Sequence, residues 1–450
     1  YFVSGCMQDI GSAEGPSNSL HAHGIGLADW FEVGGGEAGF TAPDPTDPDI
    51  VYAGEYGGYI SRYDRRTRQT KDVSVYPFDA SGHGGEDLRY RFQWTAPVVI
   101  SPHDPKVIYH AGNVLFQSSD GGQTWAPISG DLTRNDKAKE KWSGGPITGD
   151  NTGAEIYCTI FAVAESPKKE GLIWAGSDDG LVHVTHDGGK TWDDVTANVK
   201  GLPEWGTVGC IEASPFDADT AYLVVDAHRL DDMKPYLWKT ADGGKTWASL
   251  SAKLPQDTYL RAVREDPKKK GQLYLGTEHG IQVSADDGAT WKELKLNLPT
   301  VAVSDLVVKD DDLVVATSGR SLWIFDDLTP VREMGPAVEA KDVYLFPARP
   351  AYRYSYSGSF EDAAPAGTFE NPPEGAVLHY FLKKPAGGVT LEILDEKGNP
   401  VRKLTSKKKE EEAKEKEGEP GEEGDYEENK KEKEPLPVGA GLHRVAWDLR

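Results

Sequence analysis

Four copies of one short pattern constrain this 450-residue chain more than any other feature. They are SSDGGQTW (Ser118–Trp125), THDGGKTW (Thr185–Trp192), TADGGKTW (Thr240–Trp247) and SADDGATW (Ser284–Trp291). Each reads Ser/Thr-x-Asp-x-Gly-x-Thr-Trp, which is the chemistry of a hairpin turn. Asp accepts hydrogen bonds from the turn's own backbone, Gly takes the positive φ, and Thr and Trp re-enter a strand. Before each box runs an apolar strand ending in Pro, a loop, and then strand, hairpin and strand, as in residues 161–189 and 260–288. The unit is therefore four short strands, A to D, with the Asp box as the C–D turn.

Degenerate copies flank the clear ones at 50–67 and 312–327, and the opening YFVSGCMQDIGSAEGPS reads as a B–C hairpin. There Trp30, in the run DWFEVGGG, stands where a box Trp would. The repeat predicts an all-β fold, an about seven-bladed β-propeller with Asp-box turns over residues 1–330. Blade one lacks an A strand and the last blade an obvious D strand. Closure by the chain ends or by a neighbouring segment is expected to cover those edges.

After residue 330 the pattern changes. Residues 331–374 are Pro- and Ala-rich and read as a linker or strap. Residues 375–450 read as a partial Ig-like β-sandwich. A Lys/Glu-rich insertion, 406–435, interrupts it and is expected to be disordered.

The 49 Lys and Arg against 73 Asp and Glu leave a net charge of −24. Such a surface repels phosphate backbones and anionic lipid, so no nucleic acid is expected as a partner. No apolar run is long enough to span a bilayer, so no membrane insertion is expected. Cys6, Cys158 and Cys210 fit no disulfide framework or thiolate metal pattern. Cys158 and Cys210 lie in apolar strands and read as buried small hydrophobes. No metal site or cofactor is implied, beyond room for a structural calcium ion among the carboxylates. The chain opens YFVSG without Met, as a piece of a longer polypeptide would.

In a propeller the A strands line a central channel, and the B–C and D–A loops share one face. The A–B and C–D turns take the other. Box residues Asp120, Asp187, Asp242 and Asp286 therefore lie away from a top-face site and serve their turns. His103 and Asp104 share that opposite face and read as structural. The B–C hairpins carry Asp9, Glu55, Asp178, Asp179, Asp226, His228, Arg229, Glu278, His279 and Arg320. Loops before the A strands add Arg91, Trp94 and Glu155. Such groups converging on a channel mouth suit a sugar or peptide, although hairpin turns favour Asp and Glu in any case. Glu55, Arg91, Trp94, Asp179, Asp226, His228, Arg229, His279 and Arg320 are the candidate ligand-binding residues. Asp178 and Glu278 are the candidates for catalysis.

The boxes resemble those of sialidases, two-propeller xyloglucan-cleaving glycoside hydrolases and sortilin-type ectodomains. A narrower resemblance rests on SGCMQDIGS, RFQWTAPVVISPHDP, GSDDGLVHVTHDGGKTW, RLDDMKPYLWKTADGGKTW, GTEHGIQVS and LPTVAVSDLVV. Together these resemble large bacterial BNR/Asp-box repeat proteins, labelled glycosyl hydrolase or sortilin-N-terminal-like. GLHRVAWDLR is similar to the Ig-like module that follows their propellers. The resemblance implies an extracellular, periplasmic or cell-envelope protein, with an upstream propeller or a partner subunit. Cys6 and Ile10 depart from that pattern, which tends to have Gly and Asn there.

Three functions stay open. The first is an exported propeller that recognises a glycan or protein partner through its B–C face. The second is a glycoside hydrolase using a carboxylate pair there, which needs two carboxyls roughly 5–10 Å apart. The third is a structural subunit of a cell-envelope complex. A sialidase is disfavoured, because the early Arg-Ile-Pro expected of one is absent.

Overall fold

The computed structural model describes residues 1–450 apart from Ala38, Pro146, Asn151, Leu296, 354–365, 407–434 and Arg450. Nearly all of the expected Lys/Glu insertion thus lies outside the described residues. The chain divides into two units. One comprises the described residues of Tyr1–Asp326 and Gly358–Glu370; the other comprises those of Asp327–Ser357 and Asn371–Arg450.

The first unit is all-β apart from short 3-10 turns. Its described residues form seven antiparallel sheets in chain order, the first and last with three strands and the other five with four. Sheet one is Phe2–Met7, Gly11–Pro16 and Phe31–Glu32. Sheet four is typical: Ile160–Glu165, Ile173–Ser177, Val182–Thr185 and Asp193–Asp194 pair in that order. Sheet seven, Val303–Lys309, Asp312–Thr317 and Leu322–Phe325, has no fourth strand among the described residues. Each sheet packs against its neighbours in the sequence. The first also meets the last, where the Tyr1 hydroxyl donates to Asp312 Oδ2 at 3.0 Å.

The four boxes share one bonding scheme. In the first, Asp120 Oδ1 accepts from Ser118 Oγ (2.8 Å) and Thr124 N (2.9 Å), while Oδ2 accepts from Thr124 Oγ1 (2.7 Å). Asp187, Asp242 and Asp286 repeat it. Bonds from Thr124 and Thr191 hold Asp120 and Asp187 down at about 2. These carboxylates are consumed by their turns.

The box Trp ties one sheet to the one before. Trp125 Nε1 donates to Val73 O (2.7 Å), Trp192 Nε1 to Ile128 O (2.9 Å) and Trp291 Nε1 to Leu250 O (3.3 Å). Trp247 instead meets Trp174 of sheet four edge-on, with centroids 5.7 Å apart. The second box Gly lies under the same contact: a Cβ on Gly189 (φ +89) would stand 2.5 Å from Ile128 O. Trp30 does something else, covering Gly15 of its own sheet.

The turns separate into two groups. Box turns bond the A–B turns of their own sheets: Gly121 to Lys106, Gly188 to Gly171, Gly243 to Asp219 and Asp287 to Gly271. His103, in an A–B turn, bonds Ser166 O in the next sheet's A–B turn (2.8 Å). B–C turns bond instead the residue just before their own A strand: Asp178 to Thr159, Glu278 to Tyr259 and Ser318 to Ala302. Two rims result, and their turns do not mix.

In the second unit Val343–Leu345, Ala376–Leu382 and Gly441–Trp447 form one antiparallel sheet, and Thr390–Leu394 pairs with Pro400–Thr405. The stretch 331–374 is thus more than a strap. It carries the short helix Pro336–Glu339 and an edge strand, beside which Phe346 is buried.

Candidate functional site

The expected site residues fall into three groups on the B–C rim. Sheets five and six bring Asp226, His228, Glu278 and His279 together. Asp226 ends the second strand of sheet five, and its carboxylate accepts from His228 N (2.9 Å) and His228 Nδ1 (2.7 Å). That second bond fixes the ring, and Nε2 has no partner among the described residues. The ring stacks on Tyr259, with centroids 4.5 Å apart and planes 15° apart.

Tyr259 precedes the first strand of sheet six, Leu260–Glu265. Arg261 Nη2 donates to the Tyr259 hydroxyl at 3.0 Å, and its guanidinium lies 5.0 Å from the ring centroid. The same Nη2 is 3.7 Å from Glu278 Oε2, and Glu278 N donates to Tyr259 O at 3.2 Å. Burial, and then the Glu278 carboxylate, push the Tyr259 hydroxyl above its usual range. His279 Nδ1 lies 3.3 Å from Thr258 Oγ1. A flat His–Tyr stack is thus bordered by two carboxylates and a guanidinium.

The second group is buried. Asp178 accepts from Thr159 N and Thr159 Oγ1, both at 2.8 Å, and burial pushes its carboxyl up to about 8. A raised carboxyl suggests a general acid, but Asp178 is only 4% exposed and Thr159 occupies both oxygens. Asp179 accepts from Ser177 Oγ (2.5 Å) and Arg134 N (2.7 Å) and is fully buried. Arg91 is also buried. It donates to Asp131 Oδ2 (2.7 Å), Thr133 Oγ1 (3.1 Å) and Cys158 O (3.1 Å), and it faces the buried Glu140 at 3.4 Å. These three residues hold loops in place and offer no charge to a ligand. Trp94 Nε1 is buried without an acceptor among the described residues.

The third group is the remaining candidates, of which Arg229 follows His228 in the turn His228–Leu230. Glu55 lies near Glu37, and burial and then that neighbour raise its carboxyl. Glu37 accepts from Asp9 N (2.9 Å). Arg229 and Arg320 are exposed. Glu155 accepts from Thr152 Oγ1 (2.9 Å). Among the described residues no three of His, Cys, Asp and Glu are grouped to hold a metal ion, and no helix is long and apolar enough to cross a membrane. The three thiols are free, with Cys158 and Cys210 buried.

Sequence reasoning passed over Tyr259 and Arg261. The rule that flagged Arg91, Trp94 and Glu155, a residue in a loop leading into an A strand, applies equally to Tyr259.

The Sortilin-Vps10 family profile (sortilin, neurotensin receptor 3) matches residues 180–322. A xyloglucanase of a Paenibacillus species is 24% identical over 304 residues, covering 60% of this chain and 27% of that protein. Vacuolar protein sorting/targeting protein 10 of Laccaria bicolor is 36% identical over 143 residues, covering 30% of this chain and 9% of that protein. An oligoxyloglucan-reducing end-specific xyloglucanase of Emericella nidulans is 24% identical over 285 residues, covering 58% of this chain and 32% of that protein. The chain therefore spans a third or less of these relatives' lengths. Among solved structures, the GH74 xyloglucanase of Xanthomonas campestris superposes with a TM-score of 0.50 at 17% identity, over 75% of this chain and 51% of that one. Sheets and relatives agree: the chain carries a β-propeller of the Asp-box kind, sortilin-like and glycosyl hydrolase-like in its repeats.

Proposed function

We propose that the first unit is a seven-bladed ring whose B–C rim binds a glycan, in an exported protein. Seven consecutive sheets and the Tyr1–Asp312 bond support the ring. The second unit's three-stranded sheet and hairpin fit part of an Ig-like module. The observation that carries the glycan reading is the His228–Tyr259 stack bordered by Asp226, Glu278 and Arg261. A sugar ring offers a flat C–H face to such a stack and hydroxyls to the carboxylates around it. The xyloglucanase relatives make xyloglucan the first ligand to try.

Titration calorimetry with xyloglucan oligosaccharides tests this. Glu278→Gln and His228→Ala should each weaken binding about tenfold or more, the cost of losing a hydrogen bond to a charged group. The reading falls if both variants bind as the unaltered chain does.

Hydrolysis is the second reading, favoured by the presence of Asp226 and Glu278 on adjacent hairpins. It predicts release of reducing ends from xyloglucan, abolished by Glu278→Gln while some binding remains. A protein ligand on the same rim would instead leave every sugar titration flat.

A further inference from the structure

Two links between sheets are far longer than the others. Residues 73–97 join sheets two and three, and 128–159 join sheets three and four; the later links are only 195–206, 250–259 and 294–302. Both long links lie on the B–C side, because each runs from a D strand to the next A strand.

They are clasped together. Glu86 N donates to Glu140 O (3.0 Å) and Ser81 Oγ to Thr152 O (3.5 Å). Beneath them Arg91 of the first link is buried against Asp131 and Glu140 of the second, and Lys137 also pairs with Glu140. A buried ion cluster is a costly way to pin two loops unless their joint shape matters.

That joint shape is a shallow aromatic recess at the surface, lined by Gly57, Tyr76, Phe78, Leu88, Tyr90 and Gly153 among others. Tyr76 stacks on Phe78 (6.0 Å, 21°) and meets Tyr90 edge-on (5.5 Å, 83°). The Arg89 guanidinium lies 5.7 Å from the Tyr76 centroid and 5.1 Å from that of Tyr90. Phe78 is 40% exposed and Trp142, on the second link, 44%. On a chain carrying −24, the exposed Phe78 ring stacked on Tyr76 marks a contact surface.

We infer that this recess is a sugar-binding platform for a neutral oligosaccharide, separate from the His228–Tyr259 cluster. Its rings suit the apolar face of a pyranose, while the Arg89 guanidinium beside them and the tyrosine hydroxyls supply polar groups for the hydroxyls at that ring's edge. A purely apolar ligand would leave those polar groups unmatched, and an anionic one would meet the chain's own negative field. The inference rests on the reading of the B–C rim as a glycan face and adds a second contact on it. A sugar chain spanning both contacts gains affinity through effective concentration.

The test is calorimetric titration of the full chain with cellobiose through cellohexaose and with xyloglucan oligosaccharides. Phe78→Ala removes an exposed ring, so folding should be unaffected, as an unchanged thermal transition will verify. Affinity in the unaltered chain should rise with oligosaccharide length. Phe78→Ala and Arg89→Ala should each lose about tenfold for the longest sugars, the order expected for one aromatic contact. Glu278→Gln should weaken all lengths. Full-strength binding of long sugars by Phe78→Ala, with Glu278→Gln still impaired, overturns the platform and spares the rim reading. No binding of any sugar by the unaltered chain overturns both. Oligoproline binding that Phe78→Ala abolishes, with sugars inert, overturns the platform in favour of a peptide groove.

Discussion

Replacing Trp174 by alanine should cost the first unit about 3–5 kcal/mol, the range for emptying a large aromatic site in a packed core. Trp174 is fully buried in the second strand of sheet four, within a cluster that also takes in residues of sheet five. Its edge meets Trp247, and a Cβ on Gly244 would stand 3.1 Å from its ring. The void would open between two sheets whose backbones are each fixed by their own ladders, so collapse offers little relief. Trp247→Ala should cost a similar amount. The two losses should fall short of additive by about 0.5–1.5 kcal/mol, the worth of an edge-to-face pair. Urea unfolding followed by fluorescence gives all three values. Near-neutral results for both single variants would contradict the packing of sheet four on sheet five.

Asp178 offers the second large effect, and it depends on pH. Its carboxyl is pushed up to about 8 by burial, with the Thr159 bonds pulling it back and Asp179 adding to the rise. In the unfolded chain an Asp titrates near 4. A folded value above the unfolded one means that the stabilisation is complete below about pH 4 and is lost as pH rises towards 8. Asp178→Asn cannot ionise, yet it keeps an acceptor for Thr159 N and gains a donor for Thr159 Oγ1. It should therefore match the unaltered chain near pH 4 and exceed it by about 1 kcal/mol or more at pH 8. Glu212, raised by burial to about 7, contributes a similar slope to both proteins and cancels in the comparison. Asp178→Ala should instead cost about 2–4 kcal/mol near pH 4, because it strands the buried Thr159 N–H and hydroxyl, and that cost should shrink as pH rises towards 8. Equal pH profiles for Asp178→Asn and the unaltered chain would remove this account, and with it the view that Asp178 holds a loop.

The boxes were legible in the sequence because their chemistry is local. Ser118, Asp120, Gly122 and Thr124 satisfy one another within a single turn, so the motif alone states the structure. The site was legible only in part, because it is assembled from distant segments. Asp226, His228 and Glu278 stood out as hairpin residues, but nothing local says that Tyr259 lies under His228. Asp178 looked catalytic, and Asp179 and Arg91 looked like ligands, for the complementary reason. A charged residue on a turn reads alike whether it meets a sugar or a buried threonine, and burial is decided by neighbouring sheets. The helix and edge strand after residue 330 were hidden by Pro and Ala, which mask the short Val343–Leu345 alternation.

Sheets one and seven are the two three-stranded members among the described residues, and they meet where Tyr1 reaches Asp312. Between sheets three and six every junction has a box Trp or a Trp–Trp contact as a rivet, but at this joint Trp30 is turned inward over Gly15. A joint without such a tie should part before the joints that have one. Amides of Phe2–Met7 and Leu322–Phe325 should therefore exchange with solvent long before those of Ile173–Ser177.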